Sequence, residues 1–233
     1  MSKNLIIAID GPAGSGKSTS AKLVAQKLGF LYIDTGAMYR AITYLAIRNN
    51  YLGDEDKIIE LTKNSVIQLD FINGLTYVKV NDEDLTDKIR TPEVNKNVSN
   101  ISRIEGVRKI LVKIQRQLGK TQNGIVMEGR DIATVVFTNA DVKIFLTAFI
   151  DERAVRRAKE YVENGNPISV SEVKTSLQKR DVIDSNRKVS PLKQADDAIV
   201  VDTSHVTIEE QVNLILEEVK KAASKRNIEI VIN

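Results

Sequence analysis

Cysteine and tryptophan are both absent from this chain of 233 residues, and aromatic side chains make up only 5% of it. Without cysteine there is no disulfide, no thiolate nucleophile and no cysteine-ligated metal, which is compatible with a reducing cytoplasm. The scarcity of aromatic rings argues against a stacking platform for single-stranded nucleic acid. The net charge is only +3, from 34 basic and 31 acidic residues. That excess is too small to favour non-specific binding to DNA.

Long apolar runs are missing as well. Residues 1–10 hold only a short apolar stretch before an Asp-Gly-Pro turn, which is too short for a secretory signal. No segment approaches the roughly 20 apolar residues that cross a bilayer. We therefore expect a soluble, cytoplasmic monomer that has neither a membrane nor a nucleic acid as partner. A hydrophobic share of 42% is enough for one sizeable core with an added lobe.

Short apolar segments alternate with amphipathic ones along most of the chain. Strands are predicted at residues 5–9, 30–33, 125–127, 142–146 and 198–201. Helices are predicted at residues 17–28, 37–48, 103–118, 152–164, 169–186 and 207–223. Two of the helices open with a capping box, Ser169 with Glu172 and Thr207 with Glu210. This alternation predicts an α/β fold with a parallel sheet core flanked by helices on both faces.

Two regions depart from the alternation. Residues 66–72 and 76–80 alternate in polarity around Asn73-Gly74, a pattern typical of a β-hairpin with a tight turn. We interpret residues 63–90 as an inserted lobe. Residues 152–190 are polar, and we expect them to bury little surface and to be mobile.

The turn after the first predicted strand follows the pattern G-x-x-x-x-G-K-[ST]. Its glycines let successive backbone N–H groups point at phosphate oxygens, and the helix behind adds its positive end. Lys17 is expected to bridge the β- and γ-phosphates of ATP, and Ser18 to ligate Mg²⁺. The residues predicted to hold the nucleotide are Gly11, Pro12, Ala13, Gly14, Ser15, Gly16, Lys17, Ser18 and Thr19.

This motif does not reveal the acceptor of the phosphoryl group. A GTPase usually carries Asn-Lys-x-Asp, and the nearest segment here, residues 95–98, lacks the Asp. A small-molecule kinase is therefore the favoured class. Another acceptor, as in shikimate-type or other nucleotide kinases, stays open at this point, as does a P-loop protein that binds nucleotide and regulates a partner.

Three further segments narrow the choice: Asp34-Thr-Gly-Ala-Met-Tyr-Arg40, Glu128-Gly-Arg-Asp131, and Arg180-Asp181 through Asn186-Arg187. Together with the phosphate loop, they resemble the bacterial cytidylate kinases, and the resemblance runs from Ile6 to about Val219. It implies the P-loop nucleoside monophosphate kinase fold and transfer of the γ-phosphoryl group of ATP to CMP and dCMP. It also implies a core of residues 1–62, 91–150 and 191–233, an acceptor-binding insertion at 63–90, and a lid with its adjoining helix at 151–190.

Arginine suits such a site because its planar fork binds phosphate at two points and stays charged. Arg40, Arg130 and Arg187 match the residues of this family around the acceptor phosphate, and with Lys17 they form the predicted catalytic set. The resemblance further implies that Arg180 and Asp184 hold the sugar hydroxyls. Taken alone, Arg180, Asp184 and Arg187 could equally form a solvated salt-bridge ladder on one helix face.

By the same resemblance, Ser99, Arg108 and Asp131 read the base, and Thr35 and Tyr39 line its pocket. Asp131 can accept from the amino group of cytosine, and Arg108 can donate to its ring nitrogen and carbonyl. Uracil has an acceptor where cytosine has its amino donor, and a donor where cytosine has its ring-nitrogen acceptor. Each buried group left unpaired in this way would cost about 1–3 kcal/mol.

Four points stay open in the sequence. Asp34 with Arg40 could be a surface ion pair, and Asp131 could cap a helix. Any of the lid arginines at positions 153, 156 and 157 could reach the transferring group. Glu128 stands where the family often has Asp, and a carboxylate there could hold a water of the Mg²⁺ shell.

Overall fold

The computed structural model describes residues 5–72, 74–120, 124–163 and 165–232. Five parallel strands form the central sheet in the order β2-β6-β1-β7-β8, and three antiparallel strands form a second sheet, β3-β4-β5. The strands are β1 (Ile6–Asp10), β2 (Leu31–Asp34), β3 (Ile67–Ile72), β4 (Leu75–Val80), β5 (Glu83–Asp84), β6 (Ile125–Gly129), β7 (Val142–Thr147) and β8 (Ile199–Asp202). The predicted parallel α/β core and the hairpin are both confirmed.

Helices pack on the central sheet and on one another. They are α1 (Lys17–Leu28), α2 (Thr35–Arg48), α3 (Glu55–Lys63), α4 (Pro92–Ser102), α5 (Glu105–Leu118), α6 (Ile150–Glu163), α7 (Val170–Asn186) and α8 (Ile208–Lys225). Both predicted capping boxes are present, so α7 and α8 begin where the sequence indicates. Within the described ranges, no helix is both long and apolar enough to cross a bilayer.

The sequence reasoning did not predict α3 and α4. Asp54 caps α3 by accepting from the backbone N–H of Lys57, and Thr91 caps α4 in front of Pro92. Both helices are short and mostly polar, so each carries only a few apolar positions as a signal. A single wide turn at Ile132–Val136 was also missed. Asn73 of the predicted hairpin turn and Asn164, the predicted end of α6, lie outside the described residues.

Apolar residues fill both faces of the central sheet. On one face Ile7 and Ile144 pack with Val24 of α1 and Ile215 of α8. On the other face the core gathers around Ala8, Ile33 and Met127 of the sheet, together with Val112 of α5 and Ile132. The alternate residues of each strand thus face opposite layers, as expected of a sheet buried on both sides.

The small sheet is joined to the main body by a shared core. Ile67, Val78 and Val80 of its strands pack into the same cluster as Met38 and Ile42 of α2. The insertion therefore rests on the helix that follows β2.

Parallel strands place their carboxyl ends at one edge. Asp10 of β1 is in register with Gly129 of β6, and Asp34 of β2 is in register with Glu128. The phosphate loop, the start of α2 and the segment after β6 therefore meet at this edge, which is where ligands bind in open α/β sheets.

Candidate active site

The phosphate loop connects β1 to α1 in a conformation that requires glycine. Gly14 and Gly16 have φ angles of 77° and 87°, in the left-handed region that favours glycine. A Cβ on Gly11 would lie 2.0 Å from the carbonyl oxygen of Leu146. The spacing of the glycines in the motif therefore has a structural cause at each position.

Lys17 is buried at the start of α1. Its ammonium donates to the carbonyl of Pro12 at 2.6 Å and to the hydroxyl of Ser15 at 3.3 Å. Burial and, next, the nearby Arg130 lower the pKa of Lys17 to about 7. A bound phosphate would favour the charged form of Lys17, because an opposite charge at this distance offsets the desolvation.

A cavity of about 160 Å³ lies between this loop and the opposite wall. Thirteen of the residues predicted for the site line it: Ala13, Gly14, Lys17, Ser18, Thr35, Tyr39, Arg40, Arg108, Arg130, Asp131, Arg180, Asp184 and Arg187. The structure thus brings residues from both ends of the chain to one place. The predicted residues outside the lining are Gly11, Pro12, Ser15, Gly16, Thr19 and Ser99. Ser99 lies one helical turn before Ser102, which does line the cavity.

Positive charge dominates this lining. Lys17 and six arginines face four acidic side chains, those of Asp34, Glu128, Asp131 and Asp184. Four of the arginines also have a buried nitrogen without a hydrogen-bond partner within the described residues: Arg40 Nε, Arg108 Nε, Arg180 Nε and Arg187 NH2. Buried cationic donors are stable when paired, so the cavity is suited to an anionic ligand that supplies the missing acceptors.

Arg108 and Asp131 form a buried pair between NH2 of the arginine and Oδ2 of the carboxylate. Arg108 also donates to the carbonyl of Ser102 at 3.0 Å, and its guanidinium lies 5.3 Å from the ring centre of Tyr39. The Asp131 side chain makes no capping hydrogen bond to the turn that follows it. The geometry therefore favours the ion pair over the alternative of a helix cap.

Three arginines lie around the carboxylate of Asp184. Its Oδ2 lies 3.0 Å from Arg130 Nε and 4.0 Å from Arg180 Nε, and its Oδ1 lies 3.8 Å from Arg187 NH1. Burial alone would raise the pKa of Asp184, but these arginines hold that pKa below its usual value. Asp184 and Arg187 are only 3% and 8% exposed. A solvated ladder on the surface of α7 is therefore the wrong description of this face.

The Asp34 carboxylate accepts hydrogen bonds from two partners at the start of α2. Its Oδ1 accepts from the N–H of Ala37 at 3.0 Å, and its Oδ2 accepts from Arg40 NH2 at 2.5 Å. The Asp34 side chain is only 10% exposed. The pair is thus a partly buried element that aims Arg40, not a surface contact.

Glu128 is the penultimate residue of β6 and lies beside the phosphate loop. Its Oε1 accepts from the hydroxyl of Tyr32 at 2.5 Å, and its carboxylate lies close to Ser18 and Lys17. Burial and the neighbouring Asp34 raise the pKa of Glu128.

The three lid arginines differ in what they contact. Arg153 is buried and donates to the carbonyls of Ala13 and Ala148, each at 3.1 Å. Arg156 donates to Thr203. Arg157 alone of the three lines the cavity, and its guanidinium lies 5.0 Å from the ring centre of Tyr161.

Several lining residues were missed by the sequence reasoning. They are Gly36, Asn95, Val98, Ser102, Gly129 and Leu177. Three of them lie on α4, the helix that was not predicted. Its buried Val94, Val98 and Ile101 follow a helical spacing, and that spacing is the signal that could have revealed it.

A P-loop at the carboxyl edge of a parallel sheet, facing an arginine-rich wall across one cavity, defines a P-loop phosphotransferase. Comparison with known proteins narrows this class. A model of the cytidylate kinase family matches residues 7–221. A cytidylate kinase of Fusobacterium nucleatum is 50% identical over 218 residues, covering 94% of this chain and 98% of the relative. A cytidylate kinase of Bacillus subtilis is 48% identical over 222 residues, covering 95% and 99%.

The chain belongs to the cytidylate kinase family. A solved structure of an uncharacterized protein from Eubacterium ventriosum superposes with a TM-score of 0.53. The match covers 94% of this chain and 99% of that chain at 13% identity, so it supports the fold alone.

Proposed function

We propose that this chain transfers the γ-phosphoryl group of ATP to CMP, and also to dCMP, yielding ADP and CDP or dCDP. One observation carries the proposal: in a member of the cytidylate kinase family, the phosphate loop and an arginine-rich wall face the same cavity. Two phosphate-bearing ligands can then meet end to end.

The donor end uses the phosphate loop. Its backbone N–H groups and the N-terminus of α1 favour the phosphates of ATP, and Lys17 supplies the positive charge at the transferring group. Arg157, which lines the cavity, is the lid arginine best placed to reach that group.

The residues beside Lys17 fit Mg²⁺. Ser18 and Glu128 line the same cavity and offer one hydroxyl and one carboxylate as oxygen ligands. That pattern suits Mg²⁺, which keeps several waters and binds few carboxylates together with substrate phosphates. Mg²⁺ bound there would neutralise charge on the β- and γ-phosphates.

The acceptor phosphate is assigned to Arg40, Arg130 and Arg187. Arg40 is aimed by Asp34, and Arg130 is aimed by Asp184 at 3.0 Å. Because these carboxylates already hold the side chains, little side-chain entropy remains to be lost when the phosphate binds. Arg180 and Asp184 are assigned to the sugar hydroxyls.

Base recognition is assigned to Arg108 and Asp131. Their buried pair offers a carboxylate acceptor and guanidinium donors side by side, which matches the amino group and ring nitrogen of cytosine. Ser102 lines the cavity on the same side, whereas Ser99 does not. We therefore assign the serine contact near the base to Ser102.

Transfer needs no general base. An oxygen of the acceptor phosphate, already ionised at neutral pH, attacks the γ-phosphorus, and the bond to the bridging oxygen breaks to release ADP. The protein aligns the two phosphates, spreads positive charge around them and excludes water. We assign the insertion at 63–90 to acceptor binding and the segment at 151–190 to closure over the reactants.

We also propose that the protein works as a cytoplasmic monomer without a nucleic-acid partner. Its lack of cysteine fits a reducing compartment, and its net charge of only +3 gives little electrostatic attraction to nucleic acid.

The test is a panel of nucleoside monophosphates with ATP and Mg²⁺, monitored for release of ADP. We expect CMP and dCMP to be turned over well and UMP less well, with AMP and GMP inactive. Release of ADP that is the same with and without CMP would reject CMP as the acceptor. The Lys17→Ala variant serves as the background control.

A further inference from the structure

Tyr32 and Glu128 meet across two neighbouring strands. In the pairing of β2 with β6, Tyr32 is in register with Val126, and Glu128 lies two residues further along. The Tyr32 hydroxyl donates to Glu128 Oε1 at 2.5 Å. Both side chains are buried, with 1% and 4% exposure. This contact was not foreseen in the sequence.

Glutamate has one more rotatable bond than aspartate, so its carboxylate must be restrained to occupy a defined position. Asp34, in register with Glu128 on β2, also repels it. A hydrogen bond from a neutral hydroxyl to a carboxylate offsets that repulsion and fixes the torsion of the longer side chain.

We propose that Tyr32 is a positioning residue for the phosphoryl-transfer reaction, which holds the Glu128 carboxylate beside Ser18 and Lys17 and so shapes the metal side of the donor site. This inference rests on the proposed function. The role falls on the donor end, because Glu128 lies beside Ser18 and Lys17 of the phosphate loop.

The Tyr32 ring is itself held in place. Phe71 of β3 packs edge-on against it with 4.9 Å between ring centres, and the ammonium of Lys22 lies 5.9 Å from the ring centre. The inserted hairpin therefore contributes to the placement of Glu128 through Phe71. A Tyr32→Phe change keeps both ring contacts and removes only the hydroxyl, which makes it a clean variant.

The first test is steady-state kinetics on the full chain. Tyr32→Phe is expected to lower kcat about tenfold while the KM for CMP changes less than about twofold, because groups that orient a ligand of a metal site cost 10- to 100-fold when removed. Tyr51→Phe, in the turn after α2 and outside both the insertion and the cavity lining, is the matched control and should leave kcat unchanged. An unchanged kcat in Tyr32→Phe overturns the proposal.

A double-mutant cycle separates positioning from packing. Glu128→Asp withdraws the carboxylate by about one C–C bond, roughly 1.5 Å, beyond hydrogen-bond reach of the hydroxyl. In that background Tyr32→Phe should change kcat by less than about twofold, which shows the two residues act together. An equal loss of kcat in both backgrounds would assign Tyr32 a purely structural role and reject the proposal.

A binding measurement gives a readout apart from turnover. Mn²⁺ is titrated into the protein with ATP and no acceptor, and its binding is followed by electron paramagnetic resonance. Tyr32→Phe should weaken Mn²⁺ binding severalfold or more, and Tyr51→Phe should not. If Tyr32→Phe weakens Mn²⁺ binding but the wild type does not phosphorylate CMP, the proposed acceptor fails while the positioning role stands. Equal Mn²⁺ affinity in wild type and Tyr32→Phe refutes the positioning role.

Discussion

The two ends of the cavity are built in different ways. The donor end is one continuous loop between β1 and α1, and it presents main-chain N–H groups and one lysine. The acceptor end is assembled from side chains of α2, α4, α5, α7 and the segment after β6, and it is dominated by arginine–aspartate pairs.

Because of this difference, the two ends depend on different features of the chain. The donor loop needs glycine conformations that are set locally, such as the φ angle of 87° at Gly16. The acceptor wall needs distant segments to meet, as Arg130 and Asp184 do across 54 residues. Function at the donor end should therefore depend on single groups that act alone. Function at the acceptor end should depend on ion pairs that hold one another in place, so loss of one member disturbs the others.

Lys17→Ala tests the donor end and has the largest expected effect. Lys17 is the single lysine among the cavity-lining residues within the described ranges, so no other ammonium can replace it at the transferring group. We expect kcat to fall about a thousandfold or more. Coupled detection of ADP with saturating CMP measures this change.

Lys27→Ala, in the last turn of the same helix α1, is the control and should retain activity. Circular dichroism should show that both variants fold. Near-normal turnover in Lys17→Ala would remove the phosphate loop from the mechanism and with it the contrast between the two ends.

Arg187→Ala tests the acceptor end. Arg187 contacts both Asp131 and Asp184, and one of its buried nitrogens lacks a hydrogen-bond partner within the described residues. We expect the KM for CMP to rise about 10- to 100-fold, because a charge-assisted contact to phosphate is lost, while the KM for ATP changes little.

The exposed neighbour Lys188 supplies the control, since Lys188→Ala leaves the network intact. A KM for CMP that stays at the wild-type value in Arg187→Ala would show that Arg187 serves the fold of this wall and does not bind the acceptor.

The same contrast explains how much the sequence could reveal. Lys17 and Ser18 were predictable because the loop is a contiguous pattern with a local physical cause. Arg130 and Asp184 were named through the family resemblance, but spacing along the chain could not show that they pair at 3.0 Å. The contact of Tyr32 with Glu128 depends on the order β2-β6-β1, in which strands far apart in sequence become neighbours. Sequence periodicity carries no information on that order.

Asp131→Asn tests whether Asp131 recognises the cytosine base. The amide can donate where the carboxylate only accepts, so the variant should favour cytosine less strongly over uracil. We expect the ratio of kcat/KM for CMP to that for UMP to fall about tenfold. Asp196→Asn, at an exposed position outside the insertion and the cavity lining, is the control. Equal losses with CMP and UMP would contradict reading of the base by Asp131.

Asp10 connects the donor end of the cavity to the acceptor end, and we expect its titration to affect the stability of the fold. It ends β1 just before the phosphate loop, and its carboxylate accepts from the N–H groups of Ile132 and Ala133 at 2.9 and 2.8 Å, in the turn after Asp131. Burial is the largest influence and raises the pKa of Asp10 to about 6, although the two hydrogen bonds act in the opposite direction.

Because this folded-state pKa lies above the ordinary value of 3.8, the folded protein binds more protons than the unfolded chain between those two pH values. The contribution of Asp10 to stability is therefore greatest below about pH 4 and is lost as the pH rises through about 6. Asp10→Asn removes this titration. The free energy of unfolding of wild type relative to Asp10→Asn should fall by about 2 kcal/mol between about pH 4 and pH 7.5, as measured by urea unfolding at each pH. If the difference in free energy of unfolding between the two proteins does not change with pH, the Asp10 carboxylate keeps its ordinary pKa. The hydrogen bonds to residues 132 and 133 would then connect the two ends without a cost for burying the charge of Asp10.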